Sequence, residues 1–380
     1  MKLAIVGPTH PYRGGLSHFT TLLVRRLRLR HAVRFYSYAR QYPRLLFPGS
    51  TAEDPSAEPL AEPCEYSIDS LNPLTWHKTA RMIVSERPDA LLLQWWTPFW
   101  LPLHTALASA ATRARIPVVY LVHQLVEPDS SPLEWYAARA GLRAADGIVA
   151  MNAPEYATLL RSLPATPVRL GHLPPFDSFP DTGMRREDAR AALGLPADVP
   201  LLLLFGFIRR YKGLPVLLEA LARLADPPHL LVAGHIWEAE DEYRAQIARL
   251  GLTGRVHLHN AYIANEAIEP YFAAADAVVL PYLSGSQSAV AMVALAYGLP
   301  IITSDAGGLA DAVIDGRTGF VVPAGQPEPL AGAIRRLLAG ELGEDAAAAI
   351  AHQRQRLSWD ALTTTIEELT YELDAIIQPR

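Results

Sequence analysis

The stretch LLLLFGFIRRYKG, residues 201–213, joins an unbroken apolar run to a strongly cationic loop. A short apolar run that ends at a glycine predicts a strand buried on both faces, as in a parallel sheet. Ligands of such sheets bind beyond the carboxyl ends of the strands. The loop at this end carries Arg209, Arg210 and Lys212, which could neutralise a diphosphate; the alternative is a solvated basic loop.

The same alternation of apolar strands with helical or loop segments covers the whole chain. Strands are predicted at residues 2–6, 33–38, 90–94, 118–123, 147–151, 201–206, 230–234, 256–259, 277–281, 300–303 and 319–322. Helices are predicted in the second half at residues 215–224, 243–250, 267–275, 289–297, 329–339 and 359–377. This order predicts an α/β protein of two Rossmann-like, doubly wound domains, with the strand ends of both facing a shared cleft.

The Pro- and Asp-rich segment at residues 173–184 predicts a linker between the two domains. We therefore assign residues 1–175 to an N-terminal domain and residues 176–345 to a C-terminal domain. The helices of residues 346–380 are expected to cross back toward the first domain. At the start of the chain, Ser17 is a plausible N-cap of the first helix.

The composition suits a protein with two cores and no membrane span. The chain has 380 residues, half of them apolar, and its apolar runs are short. A strand predicted at the very N-terminus leaves no room for a secretory signal. Cys64 is the only cysteine, so no internal disulfide can form. We expect a cytoplasmic location, because the cytoplasm is reducing.

The charge distribution argues against nucleic acid as a partner and points to a surface that could attract anions. Residues 1–175 hold 18 Lys and Arg against 13 Asp and Glu, whereas residues 176–380 hold 16 against 26. The segment RRLRLRHAVR, residues 25–34, is predicted to be helical. This segment carries Arg25, Arg26, Arg28 and Arg30, which could contact the anionic inner face of a membrane. The alternative is an ordinary surface helix.

Two further loops resemble anion sites, because small residues precede a helix in each. GPTHPYRGG, residues 7–15, places Gly14 and Gly15 after the first strand, where backbone N–H groups and the helix dipole can attract a phosphate. The loop SGSQS, residues 284–288, leads into another helix and offers backbone N–H groups with the hydroxyls of Ser286 and Ser288. The alternatives are a plain turn and a helix cap.

The N-terminal half offers one histidine and one aromatic cluster as candidates. His123 ends the predicted strand at residues 118–123, where a structural role is the alternative to a catalytic one. The segment QWWTPFW contains Trp95, Trp96 and Trp100, whose aromatic faces could stack on a sugar or cover an acyl chain. They could therefore form the wall of a site for an acceptor molecule; the alternative is a core or inter-domain patch. No Cys/His spacing typical of a metal site occurs.

Together these motifs resemble glycosyltransferase family four, whose members are retaining enzymes of the GT-B fold. PYRGG resembles the N-terminal glycine pair of the family, and GFIRRYKG resembles its diphosphate-binding loop. GLPIITSDAGGLADAVIDGRTGFVV, residues 298–322, resembles its C-terminal signature, and LSWDAL, residues 357–362, the start of its crossover helix. The resemblance implies an acceptor-side N-terminal domain and a donor-binding C-terminal domain.

The resemblance also implies residue roles. Those expected in catalysis are His123 beside the transferred sugar, with Arg209 (or Arg210) and Lys212 on the diphosphate. Those expected to bind the donor are Gly14, Gly15, Arg210, Tyr262, Ile263, Gln287, Ser288 and Ala289, together with Ser286, which the chemistry of its loop already indicated. Tyr262 and Ile263 would meet the nucleobase. The expected partner is a nucleotide diphosphate sugar, with an unknown acceptor and without a metal or other cofactor.

The chain departs from the family pattern at two positions. The family usually has a pair of glutamates where this chain has Gly285 and Val293. The loop of this chain resembles that of a branch of the family with Gln and Ser in this place. The absence of both glutamates bears on donor choice and on activity. We predict a hexosyltransferase-like, retaining glycosyltransferase. The alternatives are a sugar-nucleotide epimerase or phosphorylase on the same fold, and a binder of sugar nucleotides without catalysis.

Overall fold

The computed structural model describes residues 1–42, 54–126, 130–238 and 240–377. The chain forms two compact units. The first consists of Met1–Pro55, Pro59–Leu173 and Trp359–Arg380, and the second of Ser56–Glu58 and Pro174–Ser358.

Among the described residues, the first unit contains a seven-stranded parallel sheet in the order β3-β2-β1-β4-β5-β6-β7. Its strands are β1 (Lys2–Val6), β2 (Ala32–Arg40), β3 (Glu65–Asp69), β4 (Ala90–Trp95), β5 (Val118–Val122), β6 (Gly147–Ala150) and β7 (Val168–Leu170). Its helices are α1 (Gly15–Arg28), α2 (Pro73–Glu86), α3 (Leu101–Arg113), α4 (Pro132–Leu142), α5 (Ala153–Ser162) and α13 (Trp359–Ile377). The strands β1, β4, β5 and β6 are buried almost throughout, which explains their continuous apolar sequences.

The second unit contains a six-stranded parallel sheet among its described residues, in the order β10-β9-β8-β11-β12-β13. Its strands are β8 (Leu201–Phe205), β9 (His229–Ala233), β10 (Val256–His259), β11 (Ala277–Leu280), β12 (Ile301–Ser304) and β13 (Gly319–Val322). Its helices are α6 (Arg186–Ala192), α7 (Leu214–Leu221), α8 (Glu240–Arg249), α9 (Glu269–Ala274), α10 (Ala289–Ala296), α11 (Pro327–Leu338) and α12 (Ala346–Arg356). The strand order reverses next to β8, so the loops after β8 and β11 lie side by side at a switch point.

Two helix predictions need correction. Ser17 does not cap α1, because the helix begins at Gly15 after the N-cap Gly14, and the Ser17 carbonyl already accepts the Thr21 hydroxyl within the helix. The predicted helix over residues 25–34 ends at Arg28, and β2 begins at Ala32.

The chain ends also divide differently from the sequence-based assignment. Residues 346–380 were expected to cross back toward the first domain; α12 belongs instead to the second unit, and only α13 belongs to the first. Gln353 of α12 donates to Asp311 O at 3.0 Å, whereas Trp359 at the start of α13 lies 5.6 Å from the Phe19 ring of α1. Residues 378–380 lie outside the described residues. In the described part of the chain, no helix is long and apolar enough to cross a membrane.

Candidate functional site

The basic loop after β8 continues the sheet pairing before it turns into α7. Ile208 N donates to His235 O at 2.9 Å, so this part of the loop stays beside the chain that leaves β9. Residues Arg210–Lys212 then form one 3-10 turn, and Gly213 enters α7 with a left-handed φ of 72°. The loop is therefore a defined structure at the carboxyl edge of the sheet.

Lys212 is the cation of this loop with the least contact with solvent. Its side chain is 6% exposed, and its Nζ donates to Phe205 O at 3.2 Å and lies 5.2 Å from the centroid of the Tyr282 ring. Within the described residues it forms no ion pair with a carboxylate. Burial lowers the pKa of Lys212 to about 8. A buried ammonium ion without a counter-charge is costly for the fold and typical of a group that binds an anion.

The structure distinguishes the two arginines that the sequence left as alternatives. The guanidinium carbon of Arg209 lies 3.9 Å from the centroid of the Trp237 ring, and its Nε is buried without a hydrogen-bond partner. The Arg210 side chain is 78% exposed and lies 3.7 Å from a carboxylate oxygen of Glu242. Arg209 is therefore the better candidate for an anionic ligand.

The small-residue loop before α10 is organised around Ser288. The Ser288 Oγ accepts a hydrogen bond from Ala291 N at 3.3 Å, so this residue is the N-cap of the helix. The Tyr282 hydroxyl lies 3.2 Å from the same oxygen. Ser286, Gln287 and the first helical residue, Ala289, are half-buried at this helix terminus.

The loop after β8 and the loop after β11 pack directly on each other. Leu283 N donates to Tyr211 O at 2.6 Å, and the rings of Tyr211 and Tyr282 meet edge to face at 5.9 Å. A Cβ on Gly213 would lie 1.9 Å from Pro281 O. Only glycine permits this approach, which brings Lys212 beside the N-terminal end of α10.

Gly285 and Val293, which stand where the family usually has glutamates, lie in different surroundings. Val293 is 5% exposed within α10, where its side chain packs in the interior. Gly285 has a φ of 152°, a conformation that favours glycine. Neither position can hydrogen-bond a sugar or ribose hydroxyl through a side chain.

The predicted nucleobase contacts, Tyr262 and Ile263, follow β10 at the same sheet edge. Both are half-buried, and the Tyr262 ring lies 6.1 Å from the Phe207 ring of the basic loop. These aromatic faces suit a planar ligand. Their role toward a nucleobase stays a prediction.

In the first unit, His123 directly follows β5 and is 8% exposed. Its Nε2 lies 2.6 Å from Gln94 Oε1, and its ring meets Phe19 edge to face at 4.7 Å. Burial lowers its pKa to about 3, so the imidazole is neutral near pH 7. With the proton on Nε2, Nδ1 can accept a hydrogen bond but cannot act as an acid.

The glycine pair lies where the first helix begins, in the same unit as His123. Gly14 has a φ of 118° as the N-cap of α1, and Gly15 is the first helical residue. No side chain caps this terminus, and the first turn carries no acidic residue. The terminus therefore retains the geometry that attracts an anion.

The prediction of an acceptor wall is wrong for two of the three tryptophans. Trp95 is 0% and Trp100 1% exposed, and both belong to the apolar core beneath β4 and α3. Side chains with no exposed face cannot stack on an acceptor, so the core interpretation applies to them. Trp96 is half-buried, with its Nε1 donating to the Tyr42 hydroxyl at 2.9 Å, and its acceptor role stays a prediction.

Intramolecular ion pairs occupy three of the four arginines that were considered for a membrane contact. Arg25 and Arg28 each pair with Glu62, at 2.7 Å and 2.6 Å. Arg30 lies 3.5 Å from both Asp360 and Glu367. These pairs favour the ordinary surface interpretation of this segment.

Sequence reasoning missed three side chains that shape these sites: Gln94 under His123, Trp237 under Arg209, and Tyr282 beside Lys212. A signal was present for each, because each lies at or just after the carboxyl end of a predicted strand. The sequence does not show which strands are neighbours in the sheet, and that order brings each of these side chains to its partner.

Within the described residues, no group of three or more His, Cys, Asp or Glu side chains could hold a metal ion. Arg209 and Lys212 lie on the loop after β8, and Lys212 reaches the Tyr282 ring of the loop before α10.

Two parallel sheets, with cations that lack carboxylate partners at a strand end of the second, define a doubly wound α/β protein with a candidate anion site. The family model described as Glycosyltransferase Family 4 matches residues 13–175, and the one described as Glycosyl transferases group 1 matches residues 199–340. The D-inositol 3-phosphate glycosyltransferase of Xylanimonas cellulosilytica is 30% identical, over 70% of this chain and 68% of its own length. The chain therefore belongs to glycosyltransferase family 4.

A second relative and a solved structure are also similar to this chain. The D-inositol 3-phosphate glycosyltransferase of Streptomyces griseus subsp. griseus is 30% identical over 68% of this chain and 63% of its own length. The chain thus spans less than two thirds of that relative. The crystal structure of Anabaena Alr3699/HepE in complex with UDP and glucose has a TM-score of 0.74 at 20% identity, covering 98% of this chain and 100% of that one. That likeness establishes the shared fold, which is the GT-B fold that the sequence resemblance implies.

Proposed function

We propose that this chain transfers a sugar from a nucleotide diphosphate sugar to an acceptor with retention of anomeric configuration. The observation that carries the proposal is the pair Arg209 and Lys212 at the carboxyl end of β8, neither of which has a carboxylate partner among the described residues. Two such cations match the charge of a diphosphate. The packed loop before α10 supplies a helix N-terminus beside them.

The proposed reaction needs little covalent chemistry from the protein. The bond between the anomeric carbon and the diphosphate oxygen breaks, with the electron pair leaving on the diphosphate. The acceptor oxygen bonds to the same face of that carbon, and its proton goes to the departing phosphate oxygen. Lys212 and Arg209 stabilise the charge on the diphosphate without a metal, and the neutral His123 can hydrogen-bond a sugar hydroxyl.

Release of nucleoside diphosphate that depends on an added acceptor tests this function. UDP-glucose is a suitable first donor, because the Anabaena protein of the same fold also has a structure in complex with UDP-glucose. D-inositol 3-phosphate is a suitable first acceptor, because the relatives carry its name. A wider panel of nucleoside diphosphates by thermal shift precedes the kinetics. Turnover that persists in EDTA supports the metal-free mechanism.

The absence of side-chain hydrogen bonds at Gly285 and Val293 favours one alternative, a binder of sugar nucleotides without catalysis. Saturable donor binding with no turnover toward any acceptor would support that alternative. Product formation from the donor alone would support an epimerase, and phosphate-dependent release of sugar phosphate a phosphorylase.

We expect weak discrimination between ribose and deoxyribose in the donor. Val293 replaces a side chain that would bind the ribose diol, and one missing charged hydrogen bond reduces discrimination by about 1.5–3 kcal/mol. Paired kinetics with UDP-glucose and dUDP-glucose, or the equivalent pair for the base selected in the screen, measure this. A ribo preference above about a hundredfold would show that another residue reads the diol.

In the same assays, Gln287→Ala should reduce turnover more than affinity for the bare nucleoside diphosphate.

Contact with an anionic membrane stays a proposal that vesicle sedimentation can test. If the arginines at the end of α1 bind lipid, replacing Arg25, Arg26, Arg28 and Arg30 with Gln should reduce sedimentation with anionic vesicles. Added salt should reduce it in the unmodified protein as well. The ion pairs of Arg25 and Arg28 with Glu62, and of Arg30 with Asp360 and Glu367, predict a small effect, because three of the four arginines already contact a carboxylate. No sedimentation of the unmodified protein at low salt would end the proposal.

A further inference from the structure

We infer that Trp237 is a positioning residue, whose indole ring holds the Arg209 guanidinium ready for a diphosphate without neutralising it. The inference deepens the proposed function and rests on it.

The sheet places the two residues next to each other. Beyond the ends of β8 and β9, Ile208 and Ile236 form a parallel bridge, and Trp237 N donates to Ile208 O at 3.0 Å. Side chains alternate between the faces of paired extended chains. Arg209 and Trp237 each come one position after the bridge, so their side chains leave the same face.

The contact between Arg209 and Trp237 is close. The guanidinium carbon lies 3.9 Å from the indole centroid, within the range of a cation–π interaction. Arg209 Nε is buried without a partner, and the side chain forms no ion pair in the described part of the chain. The neighbouring Arg210 differs, because Glu242 lies within 3.7 Å of it.

This mode of support has a functional consequence. A carboxylate partner would orient Arg209 but would also occupy its N–H donors and cancel its charge. An aromatic face orients the planar guanidinium from below, while its N–H donors and full charge stay available. The ring is itself held on two sides, since Phe207 and His235 meet it edge to face at 6.2 Å and 6.4 Å.

The decisive experiment compares affinities for inorganic pyrophosphate, which contains the diphosphate without base or sugar. Trp237→Leu should weaken pyrophosphate binding about threefold to tenfold, and Trp237→Phe should restore part of that loss. Arg209→Ala should lose more, and adding Trp237→Leu to it should cause no further loss. Trp135→Leu is the matched control, because Trp135 is 41% exposed, close to the 38% of Trp237, and lies in the other unit.

Two results would overturn the inference in this experiment. One is unchanged pyrophosphate affinity in Trp237→Leu. The other is an equal loss in the presence and absence of Arg209, because Trp237 would then contact the ligand directly instead of acting through the arginine.

A second measurement separates this inference from the proposed function. In the ligand-free protein, the ring current of Trp237 should shift the side-chain NMR signals of Arg209 upfield, and Trp237→Leu should remove the shift. An unmodified protein without this shift would overturn the positioning role alone. If the shift is present but the protein binds neither pyrophosphate nor any nucleoside diphosphate, both the proposed function and the inference fail.

Discussion

Lys212→Met is expected to make the protein more stable and almost inactive at once. The lysine is 6% exposed and has no carboxylate partner among the described residues, so folding buries a charge that gains little in return. A pKa lowered from 10.5 to about 8 corresponds to a destabilisation of about 3 kcal/mol. Methionine fills similar space without the charge, so thermal melts at pH 7 should show a rise of about 5 °C or more.

The pH dependence of this gain has a definite sign. Below about pH 8 the lysine is charged in both the folded and the unfolded chain, so the folded protein carries the full penalty. As the pH rises toward 10.5, the folded protein releases the proton before the unfolded chain does, and the penalty disappears. The stability difference between Lys212→Met and the unmodified protein should therefore shrink across this interval.

The same variant should lose donor binding and turnover. A charge-assisted hydrogen bond contributes about 1.5–3 kcal/mol, so we expect a loss of at least about tenfold in turnover. Arg249→Met, which removes an exposed cation of the same unit, is the control and should change stability by less than about 0.5 kcal/mol. Near-normal turnover of Lys212→Met would contradict the diphosphate role, and an unchanged melting temperature would contradict the uncompensated charge.

Gly213→Ala is expected to disrupt the site by pushing its two loops apart. The new Cβ would lie 1.9 Å from Pro281 O, and backbone at that point cannot move without displacing the start of the loop before α10. The left-handed φ of 72° adds strain for any residue with a Cβ. Together these effects should cost about 3 kcal/mol or more in the free energy of unfolding.

Gly251→Ala separates the two causes. Gly251 has a similar φ of 70°, but nothing lies within 4 Å of its added Cβ. This control should lose only about 1 kcal/mol and keep its affinity for pyrophosphate. Gly213→Ala should lose both stability and pyrophosphate affinity. If it keeps normal affinity, the packing of the two loops does not maintain the anion site.

Sequence patterns predicted the central strands of both sheets because these strands are continuous apolar runs. The strands β3 and β7 were not predicted, since they lie at the two edges of the first sheet. Their residues are largely exposed or half-buried, and β7 has only three of them. An edge strand can carry a weak apolar pattern because only one neighbour constrains it, although the edge strands β10 and β13 of the second sheet were predicted.

For the candidate site, the sequence indicated two of the loops but misjudged individual side chains. The cationic loop and the serine loop were found because each follows a recognisable strand and precedes a helix. The tryptophan wall was misjudged for Trp95 and Trp100, because an aromatic run at a strand end has the same sequence whether it faces solvent or the core. Two of the arginines of α1 could not be judged, because their partner Glu62 lies more than thirty residues further along the chain.

The sequence by itself determined that the chain has two α/β units and a basic loop directly after a buried strand. Those features follow from local apolar runs and from the residues next to them in the chain. Only the tertiary structure decided which cations are left without carboxylate partners. Lys212 meets Tyr282, and Arg209 rests on Trp237, through neighbours that other strands supply. The physical reason is that burial and pairing set the energy of a charge, and both depend on segments that only the folded sheet brings together.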